Sequence, residues 1–411
     1  MFPRDRYLNQ LIAFYGAELI RVITGMRRSG KSSLLKLYRD WLVNEKKIEE
    51  KSIVYINFES LKYANLTDYQ ALYEYVCGIS AQAGTKVFLL FDEIQNVKAW
   101  EKAVNALRVD CDCEIVLTGS NARLLSGELA TLLAGRYVEI QMFPLSFDEF
   151  LEFRQNGGDD VRKSFDAFLR FGGLPGLHEL QASPRATTQY LSDVFNSVLL
   201  KDVVSRNNIR DTELLNRIIQ FIFDNVGSTF SAKNISDFLK SQGRKLGVET
   251  IYNYLDYLEN AFVIERVKRF DLKGRKYLET QEKIYAADVG LRNSVLGYRP
   301  TDIAGILENL VYLNLRQKGF TVSVGKSGTS EVDFVASKDG AVLYVQVCYQ
   351  LTPENLERGV SVCACRQPQL RQIKDNYPKL VLTLSDLMTG DIEGIKIRNL
   401  IDFLAEPITT Y

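Results

Sequence analysis

Three short apolar runs punctuate the first third of the chain: LIRVIT (Leu19 to Thr24), VFLLF (Val87 to Phe91) and the front of EIVLTGSNARLL. Runs of roughly four to eight apolar residues bounded by turn signals predict strands buried on both faces, as in a parallel sheet. SSLLKLYRDWLV, after the first run, carries its apolar residues at helical spacing, so strand, loop and helix alternate and the fold class is α/β. From Asp148 to about Ile209 the pattern is helical, broken at FGGLPG (Phe171 to Gly176), where glycines and proline force a turn. Residues 211 to 285 then predict three helices and a hairpin. ELLNRIIQFIFDNVG is the first helix; SAKNISDFLKSQG is capped by Ser231 and closed by Gly243; GVETIYNYLDYLENAF puts Ile251, Leu255 and Leu258 on one face. Two strands follow around a turn at Lys273 to Arg275. Behind them come an amphipathic helix, GILENLVYLNLRQKG, and a second hairpin, SEVDFVASKDGAVLYVQVCYQL. The pattern divides the chain at residues 1–147, 148–210, 211–285 and 286–411.

With 411 residues, several domains are expected, and 46% hydrophobic with 25% charged residues describes a globular protein with little room for long disorder. Lys plus Arg and Asp plus Glu number 51 each, so any basic surface for nucleic acid must be local. The charged start MFPRDRYLNQ and the lack of a membrane-length apolar window predict a cytoplasmic protein with no membrane partner. Six cysteines, with Cys111/Cys113 and Cys363/Cys365 one residue apart, and a single histidine, His178, fit reduced thiols better than a zinc site.

The chemistry begins at GMRRSGKSS, residues 25 to 33, which matches G-x-x-x-x-G-K-[ST] between a strand and a helix. Gly25, Met26, Arg27, Arg28, Ser29 and Gly30 form a loop whose N–H groups can point at phosphate oxygens. Lys31 is placed to reach the β- and γ-phosphates and Ser32 to hold Mg²⁺, with Ser33 the last residue of the nucleotide-binding stretch. KVFLLFDEIQ ends its strand in Asp92, a candidate for the Mg²⁺ shell, and Glu93, a candidate base for the attacking water. The third strand ends in Thr118, Gly119, Ser120 and Asn121, where Ser120 or Asn121 either senses the γ-phosphate or caps a helix. Arg136 in LLAGRYVEI, with Arg123 in reserve, is the candidate to complete a neighbouring subunit's site.

TGMRRSGKSSLL, YINFES, LLFDEIQNVKAWEKAVNALR, LTGSNARLLSGELATLLAGRYVEIQMFPLSFDEF and GGLPG together resemble the prokaryotic predicted ATPases of the AAA+ superfamily that carry a domain of unknown function behind the motor. The resemblance implies ATP and Mg²⁺ as cofactors, a parallel sheet with a small helical lid, and ring oligomers, a hexamer being the fold-level expectation. The lid region lacks a clear second arginine.

The order of elements over 211–285 is that of a winged helix. Its third helix carries Glu249, Asp256 and Glu259, which would repel phosphates, whereas the hairpin holds Arg266, Lys268, Arg269, Lys273, Arg275 and Lys276 against Asp271. Such a hairpin either tracks a DNA backbone without reading sequence or protects a sheet edge. Over 286–411, Glu308 on a helix, Asp333 on a strand and the pair Gln346 and Cys348 on the next resemble a restriction-endonuclease-like core. There the final pair should be an acid and a lysine, so a nuclease fold without cleavage, kept for DNA docking or subunit assembly, is expected. The combined expectation is a DNA-associated ATPase, specific for DNA structure rather than sequence. The alternatives are a nucleotide-dependent signalling switch with a protein partner, and an active metal nuclease.

Overall fold

The computed structural model describes residues 4–125, 135–154, 160–180, 183–244, 246–274, 276–328, 330–350, 370–371, 373–386 and 389–408. The chain forms two compact units, residues 1–144 with 260–262, and residues 145–259 with 263–411.

In the first unit, α1 (Asp5–Ala13), β1 (Ile20–Thr24), α2 (Lys31–Asn44), β2 (Ile53–Asn57), α3 (Tyr69–Ala83), β3 (Val87–Asp92), α4 (Trp100–Asp110), β4 (Cys113–Gly119) and β5 (Tyr137–Gln141) follow one another, and β1, α2, β3 and β4 are the elements the apolar pattern predicts. The strands form one parallel sheet in the order β2-β3-β4-β1-β5. All five residues of β1 and all six of β3 are buried, because both faces are covered. Leu72, Val76, Val104 and Leu107 of α3 and α4 pack on one face, and Leu11, Leu34, Leu35, Tyr38 and Leu42 of α1 and α2 on the other. Parallel pairing brings the C-terminal ends of β1, β3 and β4 to one edge, where open α/β sheets bind their ligands.

The second unit begins with helices Phe147–Arg154, Val161–Phe171 and Pro184–Val198, and the glycine-rich FGGLPG break falls at the end of Val161–Phe171. Helices Thr212–Asp224, Ala232–Ser241 and Val248–Asn260 follow, the second capped by the Ser231 hydroxyl. The strands of this unit are β6 (Thr229–Phe230), β7 (Ile264–Asp271), β8 (Lys276–Ala286), β9 (Thr321–Ser327), β10 (Ser330–Lys338), β11 (Ala341–Cys348), β12 (Lys379–Thr383), β13 (Gly390–Ile392) and β14 (Ile395–Asn399). They make a nine-stranded mixed sheet in the order β13-β14-β12-β11-β10-β9-β7-β8-β6, an additional α/β layer that follows the first unit in sequence. The β7/β8 hairpin does not stand free. β7 pairs in parallel with β9 through Arg269↔Val324, Phe270↔Gly325 and Asp271↔Lys326, so the hairpin and the C-terminal strands share one sheet.

Candidate functional site

The loop after β1 is shaped by positions that only glycine fills easily. Gly25 has φ 140°, and a Cβ there would lie 2.1 Å from the Met142 carbonyl oxygen; Gly30 has φ 103°. The Ser29 hydroxyl is fully buried and unpartnered, and α2 starts after Gly30 with no capping side chain. The first N–H groups of an α-helix lack internal partners, so this loop can cradle a polyphosphate. Lys31, 3% exposed, donates from Nζ to the carbonyls of Gly25 and Met26 at 2.9 Å each, and lies 3.8 Å from Glu93 Oε1. Arg27 pairs with Glu59 at 2.7 Å, while Arg28 is exposed at φ 71°.

Asp92 ends β3 fully buried, its carboxylate held by three donors. Thr118 Oγ1 donates to Oδ1 at 2.6 Å; Asn57 Nδ2 and Tyr55 Oη donate to Oδ2 at 2.9 and 3.2 Å. Burial, reinforced by the Asp92 charge, pushes the Tyr55 phenol up to about 12. Glu93 occupies the left-handed region at φ 56°, an uncommon conformation for a non-glycine residue and one that collects at functional sites. Its N–H donates to Thr118 Oγ1 at 2.9 Å, so one threonine fixes both acids. Ser120 Oγ donates to Glu93 Oε2 at 3.0 Å, and Gln95 Nε2 donates to the same oxygen.

Lys31, Asp92, Glu93 and Ser120, singled out from separate stretches of sequence, therefore meet at the ends of three adjacent strands. Ser32 and Ser33 lie in the first turn of α2, Asn121 is buried one residue beyond Ser120, and Arg136 is exposed just before β5. Side-chain positions for Arg123 lie outside the described residues. Sequence reasoning missed Tyr55, Asn57 and Gln95 and gave Thr118 no particular role. Only Gln95 left a trace, two residues after Glu93 in DEIQ. Hard oxygen donors beside a phosphate cradle suit a magnesium-bound nucleotide.

In the second unit, Glu308, Asp333 and Gln346 do come together, along with Glu331. Gln346 Nε2 and the Val347 N–H, the latter at 2.9 Å, donate to Asp333 Oδ2. The group at the centre was not anticipated. Lys283 of β8 is 2% exposed and places Nζ 2.8 Å from Glu308, 2.9 Å from Glu331 and 3.8 Å from Asp333. Tyr285 Oη donates to Glu308 at 2.5 Å. Burial pushes the Glu308 carboxyl up to about 7, with Lys283 opposing and Asp333 adding to the rise. Burial works against the charge on Lys283, but the three carboxylates overcome it and hold the ammonium charged well past its ordinary range. Among the described residues no group of acids, cysteines or histidine is arranged to hold a metal ion. Cys77, Cys111 and Cys113 are free cysteines, and Cys348 is buried at the end of β11. Cys363 and Cys365 lie outside the described residues.

The hairpin's bases do not all face outward. Arg269, expected at a DNA surface, is 8% exposed, with its guanidinium on Gln281 and 3.9 Å from Glu331, because β7 runs inside the sheet. Arg266 pairs with Asp256 at 2.6 Å and Glu259 at 2.7 Å, joining the hairpin to helix Val248–Asn260. Lys268, Lys273 and Lys276 are exposed; Arg275 lies outside the described residues.

Residues 17–151 match the family described as an AAA domain, and residues 162–302 match a domain of unknown function. An uncharacterized protein of Haemophilus influenzae is 40% identical over 99% of both chains, and one of Methanocaldococcus jannaschii is 31% identical over 89% of this chain and 82% of its own. The solved Walker-type ATPase of Pyrococcus abyssi shares the fold at a TM-score of 0.52 and 16% identity, over 72% of this chain and 96% of its own. No helix among the described residues is long and apolar enough to cross a membrane. A phosphate-cradling loop, two fixed acids and a polar third strand end on a β2-β3-β4-β1-β5 sheet, together with these relatives, make the chain a member of the prokaryotic AAA+ P-loop ATPase family, with a domain of unknown function behind the ATPase core.

Proposed function

We propose that the chain binds ATP with Mg²⁺, hydrolyses it, and uses the cycle to move or switch subunits that contact DNA without reading its sequence. The observation that carries this reading is the meeting of Lys31, Asp92, Glu93 and Ser120 beside a loop that admits no Cβ at Gly25. Ser32 and Asp92 would hold Mg²⁺, which neutralises phosphate charge when bound. The backbone from Gly25 to Ser33 and Lys31 would grip the phosphates, and Glu93 would orient and deprotonate water. Ser120 or Asn121 would register the γ-phosphate, and Arg136 would complete a neighbour's site in a ring, a hexamer by fold-level analogy. The functional parts are residues 1–147 as motor, 148–210 as lid, 211–285 as winged helix and 286–411 as a nuclease-like domain without cleavage, in a cytoplasmic protein.

For the last part, Lys283 supports the reading. Its ammonium lies among Glu308, Glu331 and Asp333, where a divalent cation would have to enter, and Gln346 and the Val347 N–H occupy one Asp333 oxygen. DNA contact would fall to Lys268, Lys273 and Lys276, whose charge attracts phosphates without selecting bases. A second reading, a signalling switch with a protein partner, draws on the pairing of Arg266 with Asp256 and Glu259, which leaves a smaller basic surface than the sequence suggested.

The test is ATP turnover with single-stranded, duplex and branched DNA for the parent, Lys31→Ala and Glu93→Gln. Lys31→Ala should lose nucleotide affinity; Glu93→Gln should bind ATP and turn over slowly. DNA should raise the parent rate. A rate indifferent to every DNA would put the signalling reading in its place.

A further inference from the structure

We infer that Gln95 is the positioning residue for the Glu93 carboxylate, holding the base against Ser120 through hydrolysis. This rests on the reading of Glu93 as the residue that activates water. Gln95 lies in the short turn after β3, two residues beyond Glu93, and its Nε2 reaches both Glu93 Oε2 and Ser120 Oγ, the latter at 3.4 Å. Ser120 Oγ donates to the same carboxylate oxygen, so Gln95, Ser120 and Glu93 form a closed triangle, with Lys31 3.8 Å from the other oxygen.

The orientation of the amide follows from charge. Its NH₂ must face the carboxylate, because an amide oxygen there would be repelled. That choice leaves Oε1 buried with no partner, an arrangement that costs free energy and needs a compensating reason. Space for it comes from Gly119 at the end of β4: a Cβ there would lie 2.8 Å from Gln95 Oε1 and 3.0 Å from the Leu124 methyl groups. A side chain at position 119 would push the amide off the base. The last glycine of β4, the turn after β3 and the serine expected to sense phosphate thus all bear on one carboxylate oxygen. An unheld Glu93 would sample rotamers that point away from water, and misplacement on that scale is expensive in rate.

The test compares Gln95→Ala, Gln95→Glu and Gly119→Ala with the parent, measuring ATP dissociation constants by equilibrium titration and kcat in steady state. Losing a charge-assisted hydrogen bond should lower kcat about 10- to 100-fold while ATP affinity stays within about twofold. Gln95→Glu keeps the volume, so its loss cannot come from a cavity. Gly119→Ala should show a smaller loss in the same direction, and none when added to Gln95→Ala. Combined with Glu93→Gln, Gln95→Ala should cause no further loss, since both act through one group. Parent-like kcat in both Gln95 variants overturns the inference, as does a fall in affinity that parallels kcat. If Glu93→Gln itself turns over normally, the reading of Glu93 as base fails instead.

Discussion

Lys283 shows how one residue can settle what a cluster of acids does. Three carboxylates around a buried ammonium satisfy it, but removing that ammonium leaves like charges facing each other away from water. Lys283→Met should therefore destabilise the second unit by about 3–5 kcal/mol, with part regained by adding Glu308→Gln, as read from urea unfolding midpoints. Glu308 also links stability to pH. Its carboxyl is raised from 4.5 to about 7, so between those values the folded protein holds more protons than the unfolded chain. Its contribution is full below pH 4.5 and is lost as pH rises to 7. His178, lowered from 6.5 to about 4 mainly by burial and then by Arg154, acts in the opposite sense, losing stability as pH falls. Glu308→Gln should flatten the decline between pH 4.5 and 7 relative to the parent. An unchanged difference between parent and variant across that range would show that Glu308 does not titrate there. Glu308 and Asp333 were grouped from the sequence by resemblance, but Lys283 was not, because β8 meets β10 and helix Ile303–Gln317 only in the folded chain.

Among the elements, the β7/β8 hairpin departs furthest from its sequence pattern. Its alternation was legible, and so was its basic charge, but not which bases point outward. Residue parity within a strand gives two faces; which face is covered depends on the neighbouring strand and helix. Parallel pairing with β9 buries Arg269, and helix Val248–Asn260 engages Arg266. Reversing charge at Lys268, Lys273 and Lys276 should weaken DNA binding and reduce its salt slope by up to about three, one for each phosphate no longer neutralised. Arg269→Glu should instead place a carboxylate near Glu331 and lower the unfolding midpoint, leaving the salt slope of the folded protein unchanged. Fluorescence anisotropy at several salt concentrations, with thermal melts, separates the two outcomes.

Taken whole, the molecule joins a nucleotide unit to a larger unit whose nine-stranded sheet runs from the middle of the chain to β14. Ligand that binds only the native state stabilises it by mass action, so Mg²⁺-ATP at about 100 times its dissociation constant should add about 2.7 kcal/mol to the first unit. Lys31→Ala should abolish the shift in a thermal melt. In the first unit β1, α2, β3, β4 and the glycine loop were legible, since strands buried on both faces announce themselves as apolar runs, and a phosphate loop needs glycine at fixed spacing whatever surrounds it. The sequence by itself determined the alternating elements, the phosphate loop and the acids that follow β3, because these follow from local backbone geometry and short-range patterning. Tertiary structure alone decided that Thr118 fixes both Asp92 and Glu93, that Gln95 bridges Glu93 and Ser120, that Lys283 fills the acidic cluster and that Arg269 is buried. Those are contacts between elements distant in sequence, and strand order, register and packing, which no local pattern encodes, set them.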